Sequence, residues 1–200
     1  MARSLPVLNG PWTFVGDVHG HLDELPLIGP TIQVGDLGIG FISQREDQEN
    51  LLWRDDFWFI RGNHDNPELC RGHPCYLGDW GSHECMFWVG GAWSIDQAFR
   101  TEGVSWWRDE ELTAAQGEQA LTDYIAAKPR VMITHDGPRS LFDYQGPMEI
   151  WHFKPSFTAN LLQAMFEAYQ PETWLFGHHH QSEDFTHNGT HFRCLDIDEA

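Results

Sequence analysis

Trp12-Thr13-Phe14-Val15 runs into Gly16-Asp17-Val18-His19-Gly20, and this join decides how the chain is read. The apolar run reads as a buried strand. A carboxylate and an imidazole follow at its end, two residues apart. In extended chain, residues i and i+2 point to the same side. Asp17 and His19 therefore reach toward one point, which suits a metal ion. Alone, the stretch has an ordinary explanation as well: Asp17 caps a helix and His19 lies on the surface.

The same design recurs four more times. Thr31-Ile32-Gln33-Val34 leads into Gly35-Asp36, and Phe57-Trp58-Phe59-Ile60 into Arg61-Gly62-Asn63-His64-Asp65. Arg130-Val131-Met132-Ile133-Thr134 ends at His135, and Thr173-Trp174-Leu175-Phe176 at Gly177-His178-His179-His180. Each has a bland reading too: a turn Asp, a left-handed Asn, a packed core His, a surface His run. Together they place Asp, Asn and His at five strand ends, where open α/β sheets bind ligands.

Between these strands the sequence predicts helices over 21–28 (interrupted by Pro26), 43–54, 113–128 and 156–169. Thr113-Ala114-Ala115-Gln116 fits a capping box, and Pro129 stops that helix. Short strands and turns are expected over 74–94, with Phe87-Trp88-Val89 the clearest strand, and an irregular loop over 141–155. Asn188-Gly189 between 183–187 and 190–195 signals a hairpin. The pattern is mixed α/β with an antiparallel finish.

With 200 residues, 41% hydrophobic and 14% aromatic, the chain suits one folded domain over 1–200. Its net charge of −18 weighs against long nucleic acid and against anionic membrane surfaces. Cys70, Cys75, Cys85 and Cys194 lack zinc-ribbon spacing. The first ten residues hold no sustained apolar core and no stretch reaches membrane-spanning length, so a cytoplasmic protein with free thiols is expected.

The set of motifs resembles the calcineurin-like metallophosphoesterase superfamily, in its bacterial or phage-type phosphatases. That family carries Asp-x-His, Gly-Asp, Gly-Asn-His-Asp/Glu, a lone His after a strand, and Gly-His-x-His. Here they stand in the same order at Asp17–His19, Gly35-Asp36, Gly62–Asp65, His135 and Gly177–His180. The resemblance implies a two-sheet β-sandwich flanked by helices, a four-layer αββα fold. It implies a centre of two divalent ions, with Asp17, His19 and His180 on one, Asn63, His135 and His178 on the other, and Asp36 bridging. Imidazole and oxygen donors without thiolate suit Mn, Fe, Zn or Co better than Ca, with Mn foremost. The i, i+2 rule sends His178 and His180 inward and His179 away.

The implied reaction is phosphate monoester hydrolysis by a metal-bridging hydroxide, with His64 protonating the leaving oxygen and Asp65 either orienting His64 or capping the next turn. Phosphorylated small molecules, nucleotides or phosphoproteins are the expected substrates. The protein-phosphatase branch continues its second motif with Asp-Arg-Gly; Asp36-Leu37-Gly38 lacks that arginine, which weighs against phosphoproteins. Arg61, Arg100 and Arg139 are candidates to replace it, and each is equally explained as an exposed arginine paired with a carboxylate. Gly90–Asp96 resembles a Gly-Gly segment that packs beneath the site in bacterial members. Trp93, Trp106, Trp107 and Trp151 are candidates for a pocket wall or for plain packing, and 144–155 for a specificity loop. Two other functions share these motifs: a phosphodiesterase acting on nucleotides or small diesters, and a non-catalytic metal-binding scaffold.

Overall fold

The computed structural model describes residues 5, 11–22, 25, 29–41, 54–142, 148 and 156–200. The chain is mixed α/β with two sheets. Three parallel strands, β1 (Thr13–Val15), β2 (Thr31–Gln33) and β3 (Phe57–Phe59), form the smaller sheet in the order β1-β2-β3. The larger sheet holds β4 (Trp80–His83), β5 (Met86–Val89), β6 (Val131–Thr134), β7 (Thr173–Phe176), β8 (Glu183–His187) and β9 (Thr190–Cys194). Its order is β4-β5-β6-β7-β9-β8, with β5, β6, β7 and β9 parallel and the two edge strands antiparallel.

Successive strand residues face opposite ways, so a strand apolar throughout serves two cores. In β3, Trp58 and the following Ile60 join Met86 and Trp88 of β5, Ile133 of β6 and Leu175 of β7 in the core between the sheets. Phe57 and Phe59 point the other way, toward Val18, Leu37 and Tyr76. On the far face of the larger sheet, Phe87, Met132, Trp174, Phe176 and Phe192 pack against two helices, α2 (Ala114–Ala127) and α3 (Phe157–Ala168). Tyr124 reaches from α2 to donate to the Tyr169 carbonyl beyond α3, at 2.8 Å.

The local signals explain these boundaries. Thr113 and Gln116 form the expected capping box, and Lys128 ends α2 in the left-handed region (φ 45°) just before Pro129. Ser156 caps α3 through the Ala159 amide. Asn188 and Gly189 both take positive φ (48° and 88°), as the β8–β9 hairpin turn requires. A short helix, α1 (Pro67–Gly72), was not expected; Asn66 caps it, with Pro67 at its first turn. The helices expected over 21–28 and 43–54 lie largely outside the described residues, as does the 144–155 loop with Trp151. The four thiols are free, and no described helix is long and apolar enough to cross a membrane.

Candidate metal centre

The five strand ends meet at one place. Asp17 follows β1 and is fully buried. Its Oδ1 accepts the His178 amide at 3.1 Å. Its Oδ2 lies 3.1 Å from His180 Nε2 and 3.8 Å from His19 Nε2 and has no hydrogen-bond partner. The two imidazole nitrogens are themselves 3.0 Å apart. Asp17, His19 and His180 thus converge as one set of possible ligands. The route differs from the extended-chain expectation. His19, His178 and His180 all take left-handed backbone (φ 48°, 68° and 49°), so turns, not strand alternation, aim them.

The second set is Asp36, His135 and His178. His135, on the residue after β6, sends Nδ1 to the Val34 carbonyl at 3.0 Å. A carbonyl only accepts, so Nδ1 carries the hydrogen and Nε2 faces the centre. There Nε2 meets Asn63 Oδ1 at 3.2 Å and Asp36 Oδ1 at 3.3 Å. Two acceptors aimed at one ring nitrogen need a proton or a cation between them. Asp36 also stands with His19 and His64 in a third possible ligand set, so it touches both halves of the cluster. These groups, with the buried Asp17 oxygen among them, could hold a metal ion.

The electrostatics point the same way. Burial alone would raise the Asp36 carboxyl, yet the imidazoles of His135, His64 and His19 hold it far below the usual carboxylate range. Burial alone would lower His135, yet Asp36, Asp17 and the Val34 carbonyl push it up to about 10. Partial burial and the neighbouring His135 and His179 lower His178 to about 4. The Asp17 carboxylate beside it raises His180. Two buried carboxylates therefore draw positive charge to this point.

The glycines in the motifs make room for these groups. A Cβ on Gly62 would lie 2.0 Å from Asp36 Oδ1, on Gly177 2.3 Å from Asp17 Oδ1, and on Gly35 2.4 Å from His135 Nδ1. Buried Gln33 braces the ends of β1 and β2: Nε2 donates to the Gly16 carbonyl at 3.0 Å, and Oε1 accepts the Gly35 amide at 3.1 Å. The C-terminal segment ties down Asp17, since the Asp198 amide donates to the Asp17 carbonyl and the Gly16 amide to the Glu199 carbonyl, both at 2.8 Å.

All seven expected ligands, Asp17, His19, Asp36, Asn63, His135, His178 and His180, come together. Three other expectations need correction. Asp65 does not orient His64. It is buried, and its carboxylate accepts the amides of Gly38 (2.7 Å), Gly62 (2.8 Å), Ile39 (2.9 Å) and Leu37 (3.3 Å), binding the Asp36 loop to the Asn63 loop. Arg61 is neither exposed nor facing the cluster. It is 1% exposed, pairs with Asp79 at 2.6 Å and donates to the Glu110 carbonyl. Arg139 is exposed on a 3-10 turn and bonds Asn160.

Arg100 is the arginine at the cluster. Its Nη2 contacts His64 Nε2, its Nε pairs with Asp96, and its guanidinium lies over the Phe41 ring, 5.1 Å from the centroid. Burial lowers the His64 pKa, aided by Arg100 and opposed by Asp36. Phe41 packs on His64, and Trp107 on Phe41. His179 turns away, as expected, to meet Asp136 at 3.0 Å and to pack on Phe142.

Two buried groups went unread in the sequence. Gln33 sits in a strand run, and Glu110 in the acidic run Asp109-Glu110-Glu111, which reads as solvated charge. Glu110 binds Ser94, and Ser94 binds Asn63. A hint lay in Gly90-Gly91 just before: a Cβ on Gly91 would fall 2.3 Å from the Glu110 carbonyl. No protein-family model matches the chain, and no curated protein matches its sequence.

Proposed function

We propose that the protein is a dinuclear metal-dependent phosphoesterase of the calcineurin-like kind, hydrolysing phosphate monoesters. The observation that carries this reading is the pair of ligand sets, Asp17/His19/His180 and Asp36/His135/His178, linked through Asp36 and His19 of a third set. Two face-to-face sheets, with helices on the outer face of the larger one, are in keeping with that family's four-layer fold. Two divalent ions, Mn first among Mn, Fe, Zn and Co, would supply a water of lowered pKa and neutralise phosphate oxygens. Asp17, His19 and His180 would hold one, and Asn63, His135 and His178 the other.

The chain's own residues do the rest. Arg100, held by Asp96, presents a cation beside His64 for an oxygen of the phosphoryl group, and of the three candidate arginines it is the one that reaches the cluster. His64 serves as the acid for the leaving oxygen. Its Nε2 accepts from Arg100 and so carries no proton in that arrangement; to act as the acid the ring must give up that bond and take a proton from solvent at Nε2, which then passes to the leaving oxygen. Phosphorylated small molecules or nucleotides fit even this acidic chain, because two divalent ions would outweigh the Asp17 and Asp36 carboxylates and make the site locally positive.

The test is hydrolysis of nitrophenyl phosphate and bis-nitrophenyl phosphate by protein stripped with chelator, before and after Mn is returned. Stripping should abolish activity, and Mn should restore it with the monoester faster. Full activity after stripping overturns the reading. A faster diester makes the protein a phosphodiesterase, and bound metal without turnover makes it a scaffold. His64→Gln should slow phenyl phosphate by about 10²–10⁴-fold and nitrophenyl phosphate much less, because nitrophenolate leaves without a proton. Equal losses would remove the acid role, and loss of bound metal would make His64 a ligand.

A further inference from the structure

We infer that Ser94 and Glu110 are positioning residues that decide which end of the Asn63 amide faces the metal centre. The inference rests on the metal-centre reading and adds to it. A carboxamide has an oxygen end that can bind a cation and an NH₂ end that cannot, and the two have nearly the same shape. Nothing in the packing of Asn63 alone distinguishes them. A hydrogen-bond chain behind it does.

Asn63, Ser94 and Glu110 are each at most 3% exposed. Glu110 Oε1 accepts the Ser94 amide at 3.0 Å, and Oε2 lies 2.6 Å from Ser94 Oγ. An ionised carboxylate only accepts, so the Ser94 hydroxyl donates to it. That hydroxyl has one hydrogen. Its oxygen is then left to accept, and it does so from Asn63 Nδ2 at 3.2 Å. With the NH₂ end committed backward, Oδ1 faces forward, 3.2 Å from His135 Nε2. Glu110 itself is held in place: Arg61 donates to its carbonyl, and the Gly91 amide donates to the Arg61 carbonyl at 2.7 Å.

The polarity of this chain makes a sharp prediction. In Glu110→Gln the new amide keeps its oxygen on the Ser94 N–H and sets its NH₂ on Ser94 Oγ. The hydroxyl must then donate toward residue 63. Asn63 answers by turning its oxygen to Ser94 and its NH₂ to the centre. No volume is lost, yet one ligand is. A carboxylate at position 63 has no wrong end: in Asn63→Asp with Glu110→Gln, one oxygen accepts from Ser94 and the other faces the ion.

Mn titration by calorimetry tests this on the full chain, with near-ultraviolet circular dichroism as the check on folding. Wild type should bind two ions. Glu110→Gln should bind one of them about 10–100-fold more weakly, the range for losing a supporting hydrogen bond behind a ligand, and leave the other unchanged. Asn63→Asp should gain at least about tenfold more affinity in the Glu110→Gln background than in wild type, a non-additivity that mere loss of packing does not produce. Ser94→Ala, which cuts the chain in the middle, should weaken the same site and stands in if Glu110→Gln fails to fold. Unchanged affinity in Glu110→Gln or Ser94→Ala, or equal gains from Asn63→Asp in both backgrounds, overturns the inference alone. A wild type that binds no Mn overturns the metal centre, and this inference with it.

Discussion

The two sheets bring different chemistry to the same point and hold it by different means. The three-stranded sheet delivers all the oxygens and one imidazole: Asp17 and His19 after β1, Asp36 after β2 and Asn63 after β3. The six-stranded sheet delivers only imidazoles, His135 after β6 and His178 and His180 after β7. Behind the oxygens lies a buried polar net of Gln33, Asp65, Ser94 and Glu110, with Arg61 and Asp79 beyond. Behind the imidazoles lies an apolar core of Trp174, Phe176, Leu162 and Phe192. The smaller sheet's strands are three residues each and end before the ligands begin, so side chains must hold the loops that the ladder does not reach. A net of that kind is stable when every member is satisfied and costly when one is removed. Metal affinity should therefore be fragile on the oxygen side and robust on the imidazole side.

The largest effect is expected at Asp65. Asp65→Ala leaves the amides of Leu37, Gly38, Ile39 and Gly62 without their acceptor. Each orphaned donor costs about 1–3 kcal/mol. Urea unfolding should show a loss on the order of 5 kcal/mol or a failure to fold, and any folded fraction should bind metal weakly. Unaltered stability and affinity would break the comparison outright.

Next comes Asp79→Asn, which strands the Arg61 guanidinium in a site where only 1% of it is exposed. Breaking a buried pair from one side costs about 3–5 kcal/mol. The effect carries a pH signature. Burial acts to raise Asp79, but Arg61 and Tyr76 prevail and hold it below its ordinary 3.8. A carboxylate with a lowered folded pKa contributes stability above its unfolded pKa and loses it as pH falls through the folded value. The stability gap between wild type and Asp79→Asn should thus be full at neutral pH and close as the solution is taken well below about pH 4. A gap independent of pH would mean the pair contributes nothing through charge.

Leu162→Ala sharpens the other side. Leu162 is wholly buried on α3 against the larger sheet. Its truncation should cost about 2–5 kcal/mol in urea unfolding while leaving Mn affinity within a few-fold of wild type. A large loss of affinity would show that the imidazole half depends on its core as much as the oxygen half depends on its net. Smallest is Thr113→Ala at the α2 capping box, worth about 1 kcal/mol of stability with no change at the centre.

The sequence alone determined the strand runs, the order of the ligand residues, the capping box of α2 and the Asn188-Gly189 turn. Each is written in a few consecutive residues: apolar runs, one polar cap, two turn residues with positive φ. The seven ligands were legible for the same reason, since each lies within four residues of the end of a strand. What surrounds them was decided by tertiary structure. Asp65 read either as a partner for its neighbour His64 or as a turn cap, but three of its four donors are amides 26–28 residues earlier in the chain. Arg61 read as a substrate contact or as an exposed arginine paired with a carboxylate, yet Asp79 and the Glu110 carbonyl take it inward. Glu110 went unread among many acids, and only the fold puts it behind Asn63. A hydrogen bond depends on what faces a side chain in space, and a short stretch of sequence records only what lies beside it along the chain.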